Sequence, residues 1–112
     1  MAQPTREDAT LMVQLAQWGT ALGVDEALER VIAEDFDPDA ADIMKDSVVR
    51  KLLQFGESIG TLTKHDLLSA ELVNDWLWVG GLWSRVGPAA LRARENYGEP
   101  RLYENFEALA NG

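Results

Sequence analysis

The sequence predicts an all-α fold, a single domain over residues 1–112 built as a bundle of five or six helices. Apolar residues recur at helical spacing along the whole chain, and nowhere do they alternate as in a strand. Capping residues, glycines and prolines divide this pattern into segments of helical length. The apolar share of 46% is enough for one hydrophobic core, and the chain has neither an internal repeat nor a long linker.

Two helices are predicted in the first third of the chain. Thr5 is the predicted N-cap of the first, with Asp8 three residues later as in a capping box, and Gly23 is its predicted end. Its apolar stripe consists of Leu11, Leu15, Trp18 and Leu22. Asp25 then caps a short second helix, whose predicted buried residues are Leu28, Val31 and Ile32.

A third helix is predicted to start at Pro38, because proline suits a first helical turn and the carboxylates around it suit a helix N-terminus. It should end near Gly60, ahead of a connection over residues 61–66. One face carries its apolar stripe of Met44, Val48, Leu52, Phe55 and Ile59.

The fourth helix is predicted to begin after Ser69, whose hydroxyl suits an N-cap. Gly80 and Gly81 within it would let another backbone approach, and Pro88 should kink or break it. Its stripe consists of Leu72, Trp76, Val79, Trp83 and Val86. A continuation should end at Gly98, before a short last helix that carries Leu102, Tyr103, Phe106 and Leu109.

The charge of the chain narrows the classes of partner. The net charge is −9, and residues 1–46 hold three basic against eleven acidic residues. We therefore expect no nucleic-acid binding and no docking on anionic lipid, since both need clustered bases. The chain has no cysteine, no recognisable signal peptide and no apolar run long enough to cross a membrane, so we expect a cytoplasmic protein without membrane insertion.

Three runs carry a family resemblance: VVRKLLQFGESIG (48–60), WSRVGP (83–88) and LYENFEALA (102–110), with Leu72 and Val73 at the start of the fourth helix. Over residues 48–110 the chain resembles an uncharacterised domain of unknown function that is widespread in small bacterial proteins. Members of that family commonly have an aromatic residue before the glutamate, where this chain has Gly56 before Glu57. The resemblance implies a helical fold and a bacterial cytosolic or membrane-proximal setting, and it implies no activity.

The sequence offers little catalytic chemistry. The lone histidine, His65, lies in a predicted loop, without a nucleophile, an orienting partner or further metal ligands that can be named. The chain contains no G-x-S-x-G nucleophile motif, no GxGxxG loop and no Walker A loop. We therefore expect that the protein is not an enzyme and that it holds no cofactor and no metal.

The acidic segment before the third helix invites comparison with a calcium loop. Four of its residues take the first, third, fifth and twelfth positions of an EF-hand loop: Asp35, Asp37, Asp39 and Asp46. However, Ala40 stands where the loop requires glycine, and the twelfth position is not glutamate. An acidic helix start explains these residues without a metal.

Glu57 is the carboxylate that stands out, because on a helical wheel it lies opposite the apolar stripe and on the same face as Arg50. Two interpretations remain open. Glu57 is either a solvated side chain near an exposed base, or part of a partly buried structural cluster with Arg50 and Arg85.

Trp78 and Leu77 fall outside the stripe of the fourth helix, Trp78 by about 120°. The favoured interpretation is a central helix packed on all sides, with Trp78 in the core. The alternative is an exposed aromatic anchor that contacts a partner, together with Leu77.

These observations favour a small cytosolic protein-interaction or regulatory module, with a homodimer through the fourth helix as its most concrete form. The first alternative is a small-ligand sensor with a pocket between helices, lined by Trp76 and Trp83. An enzyme that uses Glu57 as an acid or base is the last alternative.

Overall fold

The computed structural model describes residues 3–112, and within them the chain forms six α-helices, one short 3-10 helix and no strand. The helices are α1 (Arg6–Leu22), α2 (Val24–Ile32), α3 (Ser47–Lys64), α4 (Ala70–Trp76), α5 (Val79–Tyr97) and α6 (Glu104–Asn111), and the 3-10 helix is Ile43–Lys45. The predicted all-α bundle is confirmed.

The predicted ends of α1 are confirmed. The Thr5 hydroxyl accepts from the Asp8 backbone N–H at 3.1 Å and the Asp8 carboxylate accepts from the Thr5 N–H at 2.8 Å, which completes a capping box. Gly23 ends α1 with φ of 79° and also precedes the first residue of α2. Asp25 therefore lies inside the first turn of α2 instead of capping it. Ile32, predicted to be buried, is 49% exposed.

The predicted helix start at Pro38 is wrong, because residues 33–42 form turns. Two arginines of α5 explain this conformation. Arg85 donates to the carbonyls of Val31, Ala33 and Phe36, and Arg92 donates to those of Asp39 and Ala40. Carbonyls that turn towards these side chains do not serve a helical ladder. The helix begins instead at Ser47, where Asp46 accepts from the N–H groups of Val48 and Val49.

The predicted fourth helix is two helices. Ser69 caps α4 as predicted, with its hydroxyl accepting from the Leu72 N–H at 3.2 Å. The chain is extended at Leu77, with φ of −119° and ψ of 143°, and α5 begins at Val79. The break predicted at Pro88 is wrong, since α5 runs through it to Gly98. Pro88 lacks one backbone donor, but buried Val86, Ala89 and Ala90 around it hold both halves of α5 against the core.

The core forms around α3, which contributes buried side chains along its length. Phe55 packs against Trp18 of α1 at a ring distance of 5.3 Å and against Trp76 of α4 at 6.4 Å. Trp83 of α5 packs edge-on against Phe106 of α6 at 5.1 Å. These contacts bring every helix except α2 into the aromatic part of the core, and α2 adds Ala27 and Val31. None of the helices in residues 3–112 is long and apolar enough to cross a membrane.

Candidate functional site

The Glu57 carboxylate receives the N-terminus of α6. One oxygen, Oε1, accepts from the backbone N–H groups of Asn105 and Phe106, both at 2.9 Å. The other, Oε2, accepts from the Asn105 side-chain amide at 2.9 Å. Helix α6 has no side-chain cap of its own, because Tyr103 stands at the N-cap position. A carboxylate of α3 therefore supplies, across the bundle, the cap that local sequence does not.

The residues beside Glu57 leave room for this contact. A Cβ at Gly56 would lie 2.4 Å from two ring carbons of Phe106, and a Cβ at Gly60 would lie 2.4 Å from the Asn105 carbonyl oxygen. Thr61 adds a hydroxyl that accepts from the Asn105 amide at 3.2 Å. The aromatic residue that the family resemblance implies at this position has no space here, because the Phe106 ring already lies over Gly56. The third helix does not end near Gly60 as predicted, because α3 continues to Lys64. Gly60 instead lets α6 come close to α3.

Tyr103, the residue before α6, has the left-handed conformation, with φ of 59° and ψ of 25°. This conformation is costly for an aromatic residue, by roughly 1–3 kcal/mol, and persists only when its surroundings fix it. Here hydrogen bonds hold the backbone on both sides of Tyr103. Arg94 of α5 donates to the Leu102 carbonyl at 2.8 Å, and Glu57 binds the N–H groups that follow.

The predicted cluster of Arg50, Glu57 and Arg85 does not form within residues 3–112. Arg85 does not bind Glu57; its guanidinium binds carbonyls at and after the end of α2 and lies 5.2 Å from the centre of the Phe36 ring. Arg50 is exposed on α3 and lines a different pocket. Glu57 is only partly exposed, so the alternative of a merely solvated carboxylate is wrong as well. The sequence feature that indicates the contact between Glu57 and α6 is the absence of a capping residue before α6.

Trp78 lies on the surface, so the favoured prediction of a core tryptophan is wrong. Its side chain is 67% exposed, and it precedes α5 at the N-cap position instead of lying inside a helix. A Cβ at Gly81 would lie 1.8 Å from an indole carbon of Trp78, so the ring lies flat on the backbone of α5. The close approach of another backbone, predicted for Gly80 and Gly81, is not what Gly81 accommodates, because the atoms nearest to it belong to the Trp78 side chain. Leu77 is half-buried and packs against the core.

The other predicted pocket residues take core positions. Trp76 and Trp83 pack against Phe55 and Phe106. An open groove of about 720 Å³ lies between α4 and α6. Most of the described residues that line it are small, carry an amide or are acidic, such as Ala108, Asn74 and Glu71. Trp18 lines a pocket at the junction of α1 and α3.

Two of the acids that were compared with a calcium loop make other contacts. Asp46 caps α3 and pairs with Arg30 at 2.5 Å, and Asp37 accepts from the Asp39 N–H at 2.9 Å. In the described part of the chain, no group of three or more histidine, cysteine or acidic side chains is placed to hold a metal ion. His65 is exposed and follows the last residue of α3.

Comparison with known proteins gives one match. Neither the curated proteins nor the solved structures include a match to this chain. A family model, described as a domain of unknown function (DUF4760), matches residues 4–112. The match extends the resemblance over residues 48–110 to α1 and α2. The chain therefore belongs to this family of domains of unknown function, DUF4760.

Proposed function

We propose that this protein is a small protein-interaction module and that it associates with a second copy of itself through the surface around Trp78. The observation that carries the proposal is the 67% exposure of Trp78 combined with its fixed position on Gly81. Tryptophan is the residue type most enriched at the energetic centres of protein interfaces. A ring already held flat against the backbone loses little conformational freedom on binding.

The distribution of charge supports a second copy as the partner. The chain carries a net charge of −9, so two copies repel each other over most approaches. Residues 79–94, which form most of α5, contain three arginines and no acidic residue. A twofold contact over this helix therefore brings the two copies together along a stretch that carries none of the acidic side chains responsible for the net negative charge. Leu91, 49% exposed on α5, adds apolar area to this helix.

The proposed role is not catalytic. Glu57 is the carboxylate that an acid–base mechanism would use, and both of its oxygens accept hydrogen bonds from α6. A general base must lie within hydrogen-bond reach of the proton that it removes, and the Glu57 carboxylate is directed at α6. The proposal places the protein in a bacterial cytoplasm, which is one of the two settings that the family resemblance implies and which the absence of cysteine favours.

Sedimentation velocity over a wide range of protein concentration tests the proposal. We expect wild-type protein to gain mass with concentration and Trp78→Ala to remain monomeric. Tyr97→Ala is the matched control, because Tyr97 is a 74% exposed aromatic residue at the other end of α5. This variant should associate like the wild type.

The stability of each variant separates assembly from folding. Because Trp78 is largely exposed, Trp78→Ala should unfold in urea near the wild-type midpoint when measured at monomer concentrations. Wild-type protein that stays monomeric at the highest concentration would refute self-association. Equal loss of mass in Trp78→Ala and Tyr97→Ala would refute the assignment to Trp78.

A further inference from the structure

A pocket of about 450 Å³ lies where the last turn of α1 meets the first two turns of α3. Trp18 and Leu22 come from α1, one helical turn apart. Helix α3 contributes a polar face, which includes Arg50, Lys51 and Gln54, and Tyr103 lines the pocket from the turn before α6.

The charge of this pocket is opposite to that of the protein. Both charged residues in its lining, Arg50 and Lys51, are basic, whereas the chain as a whole has a net charge of −9. Neither forms a salt bridge within residues 3–112. Glu26 is an acid near Lys51, because a Cβ at Gly23 would lie 3.6 Å from Lys51 Nζ and 3.4 Å from a Glu26 oxygen. Glu26 is exposed on α2 and does not line the pocket.

Two aromatic side chains give the pocket fixed walls. Trp18 packs on Phe55 of the core with a ring distance of 5.3 Å. Tyr103 is held in its left-handed conformation by the Glu57 cap that follows it and by the bond from Arg94 to Leu102 before it. A backbone strained in this way and fixed from both sides is a feature that clusters at binding sites.

We propose that this pocket binds a small organic anion, with one carboxylate or phosphate group on a flat apolar body. The Arg50 guanidinium offers paired donors in a plane that matches either group, and Lys51 adds a second positive charge. Gln54 supplies a further amide. The flat body of the ligand lies against Trp18 and Leu22, and a pocket with apolar walls and a few polar groups is typical of small-ligand sites. This site is independent of the Trp78 surface.

Isothermal titration calorimetry with two probes, 2-naphthoate and 2-naphthyl phosphate, tests the proposal and separates the two head groups. We expect at least one to bind with a Kd at or below about 1 mM. The tighter probe identifies the head group that the site prefers. The neutral alcohol 2-naphthylmethanol should bind much more weakly, because it leaves both bases without a counter-charge.

Variants locate the binding. Arg50→Gln and Lys51→Gln should each weaken the tighter probe by about ten-fold or more, the usual effect of losing a hydrogen bond to a charged group. Lys64→Gln is the matched control, because it removes an exposed base near the other end of α3, and it should leave the Kd unchanged. Glu26→Gln should tighten binding, since it removes the acid beside Lys51. Trp78→Ala should bind like the wild type.

Circular dichroism on each variant establishes that it remains folded, and both substituted bases lie on the surface side of α3. The proposal is overturned if neither probe produces heat at millimolar concentration, or if the neutral alcohol binds as tightly as the anions. It is also overturned if Lys64→Gln weakens binding as much as Arg50→Gln does. That result would mean that the probes respond to the overall charge and not to this pocket.

Discussion

The cap that Glu57 provides to α6 predicts a defined loss of stability when the carboxylate is removed. In Glu57→Ala, the N–H groups of Asn105 and Phe106 lose the acceptor that they share at 2.9 Å. Loss of an N-cap side chain costs about 0.5–2 kcal/mol. Loss of a negative charge at a helix N-terminus adds about 0.3–1 kcal/mol. We therefore expect Glu57→Ala to lower the free energy of unfolding by about 1–3 kcal/mol.

Glu57→Gln separates the charge from the hydrogen bonds. A glutamine oxygen still accepts from both backbone groups, but its amide meets the Asn105 amide, donor against donor. Hydrogen bonds to a charged group are about twice as strong as neutral ones, so this variant should lose about 1 kcal/mol. Glu29, an exposed acid in α2, is the matched control, and both Glu29→Ala and Glu29→Gln should stay within about 0.5 kcal/mol of the wild type.

Urea denaturation followed by far-UV circular dichroism measures these free energies. Amide hydrogen exchange adds a local test, because the N–H groups of Asn105 and Phe106 should exchange faster in Glu57→Ala than in the wild type. If Glu57→Ala unfolds at the same urea concentration as Glu29→Ala, and the two amides keep their protection, then Glu57 does not cap α6.

Two further predictions concern packing and pH. Gly56→Ala should destabilise the protein by about 1–3 kcal/mol or more in urea melts, because its Cβ would lie 2.4 Å from the Phe106 ring. Gly80→Ala should instead stabilise the protein by up to about 1 kcal/mol, because alanine favours the helix more than glycine does and the atom nearest to the new Cβ would be 3.8 Å away. Destabilisation by both variants would refute the packing argument. A hydrogen bond from the Thr5 backbone N–H lowers the pKa of Asp8 below its usual value. A carboxyl group with a lowered pKa stabilises the folded state above its unfolded pKa. The advantage of wild type over Asp8→Asn should therefore hold at neutral pH and be lost as the pH falls through the lowered pKa of the folded state; a difference that does not change with pH would contradict this.

The sequence predicted those parts of the fold that depend on neighbouring residues. The capping box of Thr5 and Asp8, the Ser69 cap and the end of α5 at Gly98 each involve groups within a few positions of one another. Such signals act within one helical turn, so they can be found without knowing the tertiary structure.

The wrong predictions at Pro38 and Glu57 share a physical cause, because in each a side chain binds backbone groups from a distant part of the chain. A helix was predicted to start at Pro38, but Arg85 and Arg92 of α5 bind the carbonyls around it. A cluster with arginines was one of two interpretations of Glu57, but its partners are N–H groups of α6. Helical periodicity places a residue on a face, and it does not identify the element that the face meets.

The position of Trp78 was missed for a different reason. The apolar stripe from Leu72 to Val86 is continuous in sequence, so it predicted one helix and placed Trp78 inside it. The chain is extended at Leu77, and this break rotates α5 relative to α4, so that Trp78 turns outward while Trp76 and Val79 stay against the core. A short break between two helices with the same period leaves little trace in hydrophobicity.

The Glu57 cap and the pocket beside it form one structural unit. Gly56, Glu57 and Gly60 of α3 fix where α6 begins, and α6 in turn fixes Tyr103 as a wall of the pocket. Glu57 is therefore a positioning residue for the proposed anion site, although its carboxylate is bound to α6 and is not a wall of that pocket. Because the cap acts through Tyr103, Glu57→Gln should weaken probe binding even though it removes a negative charge. Simple electrostatics predicts the opposite, tighter binding of an anion, so the sign of this one effect separates positioning by the helix from the influence of charge alone.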